Sequence, residues 1–167
     1  LSTLDVNTPK GQKTIVQEQR AVELFCEHFP STKYVNTPKK GSATVDSLLI
    51  KEGNLVGVVE TKCRQMTRSQ LEQYGDEWLV TWDKIDGARK IATSLGVSLW
   101  GFLYLVPDDL LIIVEISNAQ GEFLREMRVE ATQTQKTVNG GLIVRNNAYI
   151  SVTGCTELTF DTMESTV

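Results

Sequence analysis

Histidine is almost missing from this chain: His28 stands alone. One imidazole excludes His-rich zinc sites and any mechanism that needs two histidines within one chain. Cysteine is scarce too. Cys26, Cys63 and Cys155 are odd in number and show no CxxC spacing, which argues against a disulfide framework, a zinc ribbon or a four-Cys iron–sulfur cluster. Unpaired thiols point to a reducing, cytoplasmic (intracellular) setting. No run of eighteen apolar residues occurs, so no membrane span or membrane partner is expected. The first residues lack the apolar stretch of a secretory signal. Internal repeats and low-complexity tracts are absent as well.

What is present is ordinary globular material. The 167 residues are 41% apolar and 23% charged, and the length fits one domain. A chain of this size buries about 70% of its unfolded surface, so it needs no staple to hold a core. Net charge is −4, but it is unevenly spread. Residues 1–70 carry ten Lys or Arg against seven Asp or Glu, and residues 71–167 carry seven against fourteen. The basic excess in the first segment is a weak pointer to a polyanionic partner.

Apolar spacing outlines the elements. Ile15, Val16, Ala21, Val22, Leu24, Phe25 and Phe29 predict a helix over Lys13–Phe29, closed by Pro30. A short strand is expected over Lys33–Asn36, then a turn at Pro38-Lys-Lys-Gly41. Ala43–Lys51 and Leu55–Cys63 are rich in Val, Leu and Ile, and Glu52-Gly53-Asn54 between them signals a hairpin. Ser69-x-x-Glu72 has the form of a capping box opening a helix that carries Leu71, Trp78 and Leu79 and breaks near Thr81–Trp82. A further helix is expected over Lys84–Leu95 with Gly96 after it, then a buried central strand over Val97–Val106. Pro107-Asp-Asp109 turns the chain into a strand at Leu110–Ile116, and Asn118–Gly121 turns it again into Phe123–Glu130. Thr132–Gly141 reads as a polar loop, and Leu142–Arg145 with Ala148–Val152 as a last hairpin about Asn146-Asn147. The sum is a mixed α/β sandwich rather than a doubly wound sheet.

One constellation carries chemistry. An acidic residue, Asp46, lies on the first strand of the hairpin, and Glu60-Thr61-Lys62 ends the second. If Glu52-Gly53-Asn54 form a three-residue loop, Asp46 faces Glu60, Leu48 faces Val58 and Ile50 faces Val56. Glu60 and Lys62 then share a face with Asp46, because side chains alternate along a strand. A two-residue loop would shift the register by one and turn Asp46 to the other face. Two carboxylates about 5 Å apart at a strand end repel unless they are paired or neutralised. A hard divalent cation with oxygen ligands, Mg²⁺ or Mn²⁺, neutralises them, and the Thr61 backbone carbonyl offers a third oxygen. Lys62 is placed to orient or help deprotonate a water, so the set suits phosphodiester hydrolysis. The alternative is a salt-bridged strand end with no further role. Lys10, Lys13, Lys33, Lys39 and Lys40 are candidates to meet phosphates, and Arg64 and Arg68, which flank the constellation, are the favoured ones. Trp78, Trp82 and Trp100 read as core, and His28 as a surface or cap residue.

Asp46, Glu60, Thr61 and Lys62, in this order of elements, resemble the signature of the PD-(D/E)XK nuclease superfamily. Val45 stands where that family usually has Pro. Gln70-Leu-Glu-Gln-Tyr74 resembles the QxxxY motif of its RecB-like exonuclease branch, and Gln70 and Tyr74 share a helix face at i and i+4. The resemblance covers residues 11–106. It implies an α/β restriction-endonuclease-like core of helix, three-strand meander, helix and strand. That core has a mixed central sheet flanked by helices, with extra C-terminal β-strands. A single nuclease domain over 1–167 is expected, with its core over 11–116 and a C-terminal β extension over 117–160. The implied activity is a Mg²⁺- or Mn²⁺-dependent deoxyribonuclease that processes DNA ends or flaps, of a kind found in phage or prokaryotic DNA processing. Asp46, Glu60 and the Thr61 carbonyl would hold metal, with Glu18 (or Glu23) as the helix-borne carboxylate. Lys62 would position water, and Gln70 and Tyr74 would contact substrate. Two alternatives stay open: a Holliday-junction-resolvase-like endonuclease, which needs a homodimer, and a catalytically retired nucleic-acid-binding module.

Overall fold

The computed structural model describes residues 8–38, 45–135 and 141–159. Thr8 opens the first helix, α1 (Pro9–His28). Its hydroxyl accepts the Gly11 N–H at 3.1 Å, and Pro9 occupies the first turn, where no helical donor is lost. Ala21, Leu24 and Phe25 form the buried stripe of α1, and His28 Nδ1 lies 2.9 Å from the Leu24 carbonyl at its end. The chain then enters β1 (Thr32–Asn36), β2 (Ser47–Lys51) and β3 (Asn54–Arg64), an antiparallel meander. Residues 39–41 of the expected turn at Pro38–Gly41, with Lys39 and Lys40, lie outside the described residues, as does the start of the strand expected from Ala43.

The hairpin register resolves in an unexpected way. Lys51 pairs with Asn54, so the loop is only Glu52-Gly53, both at positive φ (52° and 76°), as a two-residue hairpin turn requires. That register alone would turn Asp46 away from Glu60. A bulge corrects it: Ile50 pairs with Leu55 but Leu49 with Gly57, leaving Val56 as the extra residue. Leu48 then faces Val58 and Ser47 faces Val59, which carries Asp46 to the level of Glu60. Leu55, rather than Val56, joins the buried cluster beneath Val58.

After β3 the chain departs from expectation again. The helix α2 (Arg68–Gln73) has only six residues, and its capping box is Thr67 with Gln70, two residues before the expected Ser69. Gly75 (φ 89°) and Asp76 (φ 58°) end it. Glu77–Thr81 is a strand, β4, with Trp78 and Val80 inward, because Trp-Leu-Val-Thr suits an alternating pleat better than a helix. Then come α3 (Trp82–Ser94), β5 (Ser98–Leu105), a short 3₁₀ turn and β6 (Leu110–Ser117). The last strands are β7 (Met127–Gln135), β8 (Leu142–Ser151) and β9 (Thr156–Leu158). Two C-terminal expectations are corrected here. Thr132–Gln135 continues β7 rather than opening a loop, and residues 142–151 form one strand rather than a hairpin. Asn147, buried in mid-strand, donates through Nδ2 to Thr132 Oγ1 at 2.5 Å, so it bridges β8 to β7 instead of turning the chain.

The result is a mixed α/β fold. Its main sheet has the order β1-β2-β3-β5-β6-β9, and only β3 and β5 run parallel. A second, antiparallel sheet has the order β4-β8-β7. Alternation along β5 splits the core. Phe102 and Tyr104 pack with Phe25 and Leu24 of α1, while Leu99, Leu103 and Leu105 pack with Ile85, Ala88 and Ala92 of α3 and with Trp78 and Ile150 of the second sheet. A bidentate pair from Arg20 to Asp109 (2.9 and 2.8 Å) ties α1 to the turn between β5 and β6. The cysteines are unpaired, as expected.

Gly101 is what lets the second sheet close on the first. A Cβ built there would stand 2.2 Å from Trp78 Cζ3, and Trp78 is 1% exposed. Gly101→Ala is expected to lower unfolding free energy by about 1–3 kcal/mol, as overpacking of a filled core does. Urea denaturation measures it, and an unchanged midpoint would contradict the packing account.

Candidate functional site

The β2–β3 ladder stops at Ser47 and Val59, and the side chain of Asp46 takes over where backbone pairing ends. Asp46 donates its N–H to the Val59 carbonyl at 3.2 Å, and its Oδ2 accepts the Thr61 N–H at 2.9 Å. Thr37 pins this segment from the other side. Its hydroxyl reaches the Val45 and Asp46 carbonyls at 2.6 and 2.9 Å, and its N–H donates to the Asp46 carbonyl at 3.0 Å. The Thr61 hydroxyl in turn meets the Tyr34 hydroxyl at 3.0 Å. Asp46 is therefore held by backbone and side-chain bonds before any ligand is considered.

Glu60 lies at the same level on β3, on the face it shares with Val58 and Lys62. It is completely buried, and neither carboxylate oxygen has a hydrogen-bond partner among the described residues. A buried carboxylate without donors costs several kcal/mol if charged, on the order of what breaking a buried ion pair costs. The group facing it came as a surprise: Lys84, from the first turn of α3, places Nζ 3.4 Å from Asp46 Oδ1 and 3.5 Å from Glu60 Oε2. Nothing in the linear sequence singled out Lys84. It is distant from Glu-x-Lys, and only the packing of α3 on β3 and β5 brings it in.

The charges settle accordingly. Burial works against the Asp46 charge, but Lys84, the Thr61 N–H and Lys62 outweigh it and hold the carboxyl below its usual range. Burial, reinforced by the Asp46 charge, pushes Glu60 up to about 8 against the pull of Lys84 and Lys62. Burial and the neighbouring Lys84 lower Lys62. Burial alone would lower Lys84 too, but Glu60 and Asp46 raise it. Asp46 is thus favoured as the charged member of the pair, and Glu60 is the harder of the two to ionise.

The remaining sequence candidates fall in different places. Arg64 is half-buried. Its guanidinium donates to the carbonyls of Leu79 (3.0 Å) and Cys63 (3.3 Å), which joins β3 to β4. It lines an apolar cleft of about 460 Å³ with Met66, Tyr74, Trp78, Leu103 and Tyr149, two residues beyond Lys62 on the same strand face. Tyr74 is 73% exposed at this cleft. Three other candidates have their own placements. Gln70 turns its Oε1 back to the Thr67 N–H at 2.8 Å, so its amide serves the helix cap rather than the carboxylates. Arg68 is engaged by Asp76 at 2.6 Å and by Glu157, so its charge is already compensated. Glu18 lies on the α1 side of the sheet, where its charge acts on Tyr34 and Cys63, and it borders a separate concavity with Ile15, Val22, Glu23 and Asn36. No group of three His, Cys, Asp or Glu gathers to hold a metal ion among the described residues.

No protein-family model matches the chain, and no curated protein matches it either.

The Glu60 environment gives a pH signature. Between the ordinary glutamate value near 4.5 and about 8, the folded state keeps a proton that the unfolded chain has released. Stability that is full below that window is therefore lost as pH rises through it. Asp46 acts in the opposite sense, but below its ordinary value of 3.8 and so outside the window. Denaturant unfolding in EDTA at about pH 5 and about pH 8 should show the loss for the native protein and a flatter profile for Glu60→Gln. Equal slopes for the two would contradict this picture.

Proposed function

We propose that this protein is a divalent-cation-dependent phosphodiesterase acting on DNA, on a restriction-endonuclease-like core. The observation that carries the reading is the Asp46–Glu60 pair. A pinned aspartate stands beside a wholly buried glutamate that meets only the Lys84 ammonium, 3.5 Å from its Oε2, among the described residues, with Lys62 on the same strand face. An order of helix, meander and then, after α2 and β4, helix and strand around a parallel β3–β5 pair supports it.

The residues fit a hard cation. Asp46 Oδ1 and Glu60 Oε2 would hold it, with the Thr61 carbonyl as a further oxygen and water completing the shell. Bound there, Mg²⁺ or Mn²⁺ would supply Lewis-acid stabilisation of the charge that builds on a phosphoryl group under attack. The protein's part is positional. Thr61 and Thr37 fix the Asp46 carboxylate, and burial keeps bulk water from Glu60. Lys62, its ammonium made easier to deprotonate by burial, orients the attacking water and passes a proton. Arg64 offers a cationic edge to the neighbouring phosphate, and Tyr74 with the apolar cleft receives the adjoining nucleoside. The QxxxY likeness favours action at DNA ends or flaps.

A second reading has its own observation. Lys84 already bridges the carboxylate pair, as it would in a retired site that binds nucleic acid without cleaving it. Cleavage of end-labelled linear and closed circular DNA with Mg²⁺, Mn²⁺ or EDTA separates the two. The nuclease reading expects metal-dependent cleavage that falls by about 100-fold or more in Lys62→Ala and in Asp46→Asn. Resistance of the circle would assign the activity to ends. A folded protein that cleaves neither substrate under any metal would favour the retired module.

A further inference from the structure

We infer that Lys84 is the built-in counter-ion of the Asp46–Glu60 pair, and that a divalent cation enters only by displacing its ammonium. The inference rests on the nuclease reading above and adds the control of its metal site. One nitrogen lies within 3.5 Å of both Asp46 Oδ1 and Glu60 Oε2, the two oxygens assigned to the metal. A Mg²⁺ ion sits about 2.0–2.1 Å from its oxygen ligands. Metal and ammonium would then stand almost in contact between the same two atoms, and two cations at that distance in a buried setting repel strongly. Occupancy is therefore exclusive.

The geometry also supplies the way out. Glu60 is fully buried, but the Lys84 side chain is 34% exposed, so its stem reaches the site from the solvent side. Its ion pairs among the described residues are these two alone. The side chain turns on a flexible four-carbon stem, and its compact ammonium hydrates readily. Lys62 is not the counter-ion, because the ion pairs of both carboxylates run to Lys84. A displaced Lys84 lies beside the site, where a phosphodiester anion would meet it. Substrate that engages Lys84 frees the carboxylates, so metal and DNA bind with positive, reciprocal coupling.

Calorimetric Mn²⁺ titration of the folded proteins without DNA tests the displacement. Lys84→Met should bind Mn²⁺ about tenfold or more tighter than the native chain. Lys84→Arg should bind it more weakly, because a planar guanidinium fork grips both carboxylates better than an ammonium. Lys90→Met removes a charge from the same helix, one paired with Asp86 instead, and should leave the affinity unchanged. Equal affinity in the native protein and both Lys84 variants would overturn displacement and leave the nuclease reading standing. Tightening by Lys90→Met as large as by Lys84→Met would also overturn it, since net charge alone would then explain the effect. Failure of every protein to bind Mn²⁺ would overturn the inference together with that reading.

Discussion

The burial of Glu60 opposite Asp46 is the constraint around which the rest of the site is arranged. Two carboxylates forced to one level repel, and one of them has no water to relieve it. The structure answers in three ways. A backbone N–H and a threonine-held segment stabilise Asp46 as the charged partner, burial makes Glu60 harder to ionise, and an ammonium from another element bridges the two. Removing any one of these leaves the others under strain.

That arrangement depends on features far from it. The bulge at Val56 brings Asp46 into line with Glu60 despite the short hairpin loop. Gly101 is the β5 partner of Glu60, and its missing side chain admits Trp78, which brings the second sheet close. Ile85, Ala88 and Ala92 seat α3 on the same face and so aim Lys84. Core packing and site chemistry are thus one problem here: the helix that supplies the counter-ion is also a wall of the core.

Much of this was legible in the sequence, where a local signal and the tertiary outcome agree. The Val- and Leu-rich hairpin, the apolar run of β5 and the helix before Gly96 appear where their patterns put them. Asp46, Glu60 and Lys62 share one face as the register argument requires, although the loop is shorter than that argument assumed and the bulge supplies the correction. Local pattern misled where pairing with distant strands decided the outcome. Trp78 and Leu79 fit a helical stripe, yet β8 offered a partner and they became a strand. Asn146-Asn147 looked like a turn, yet Thr132 across the sheet satisfies Asn147. Gln70 and Tyr74 have helical spacing, but so short a helix uses Gln70 for its own cap. Lys84 carried no signal at all, because its role exists only once α3 has docked.

The central claim is that Asp46 and Glu60 form a cation site guarded by Lys84. Anomalous diffraction from a crystal soaked in Mn²⁺ tests it most directly. The account predicts a peak bonded to Asp46 Oδ1 and Glu60 Oε2, with the Lys84 ammonium withdrawn from both. No peak at the pair, with Lys84 still bridging it at high Mn²⁺, would contradict the account.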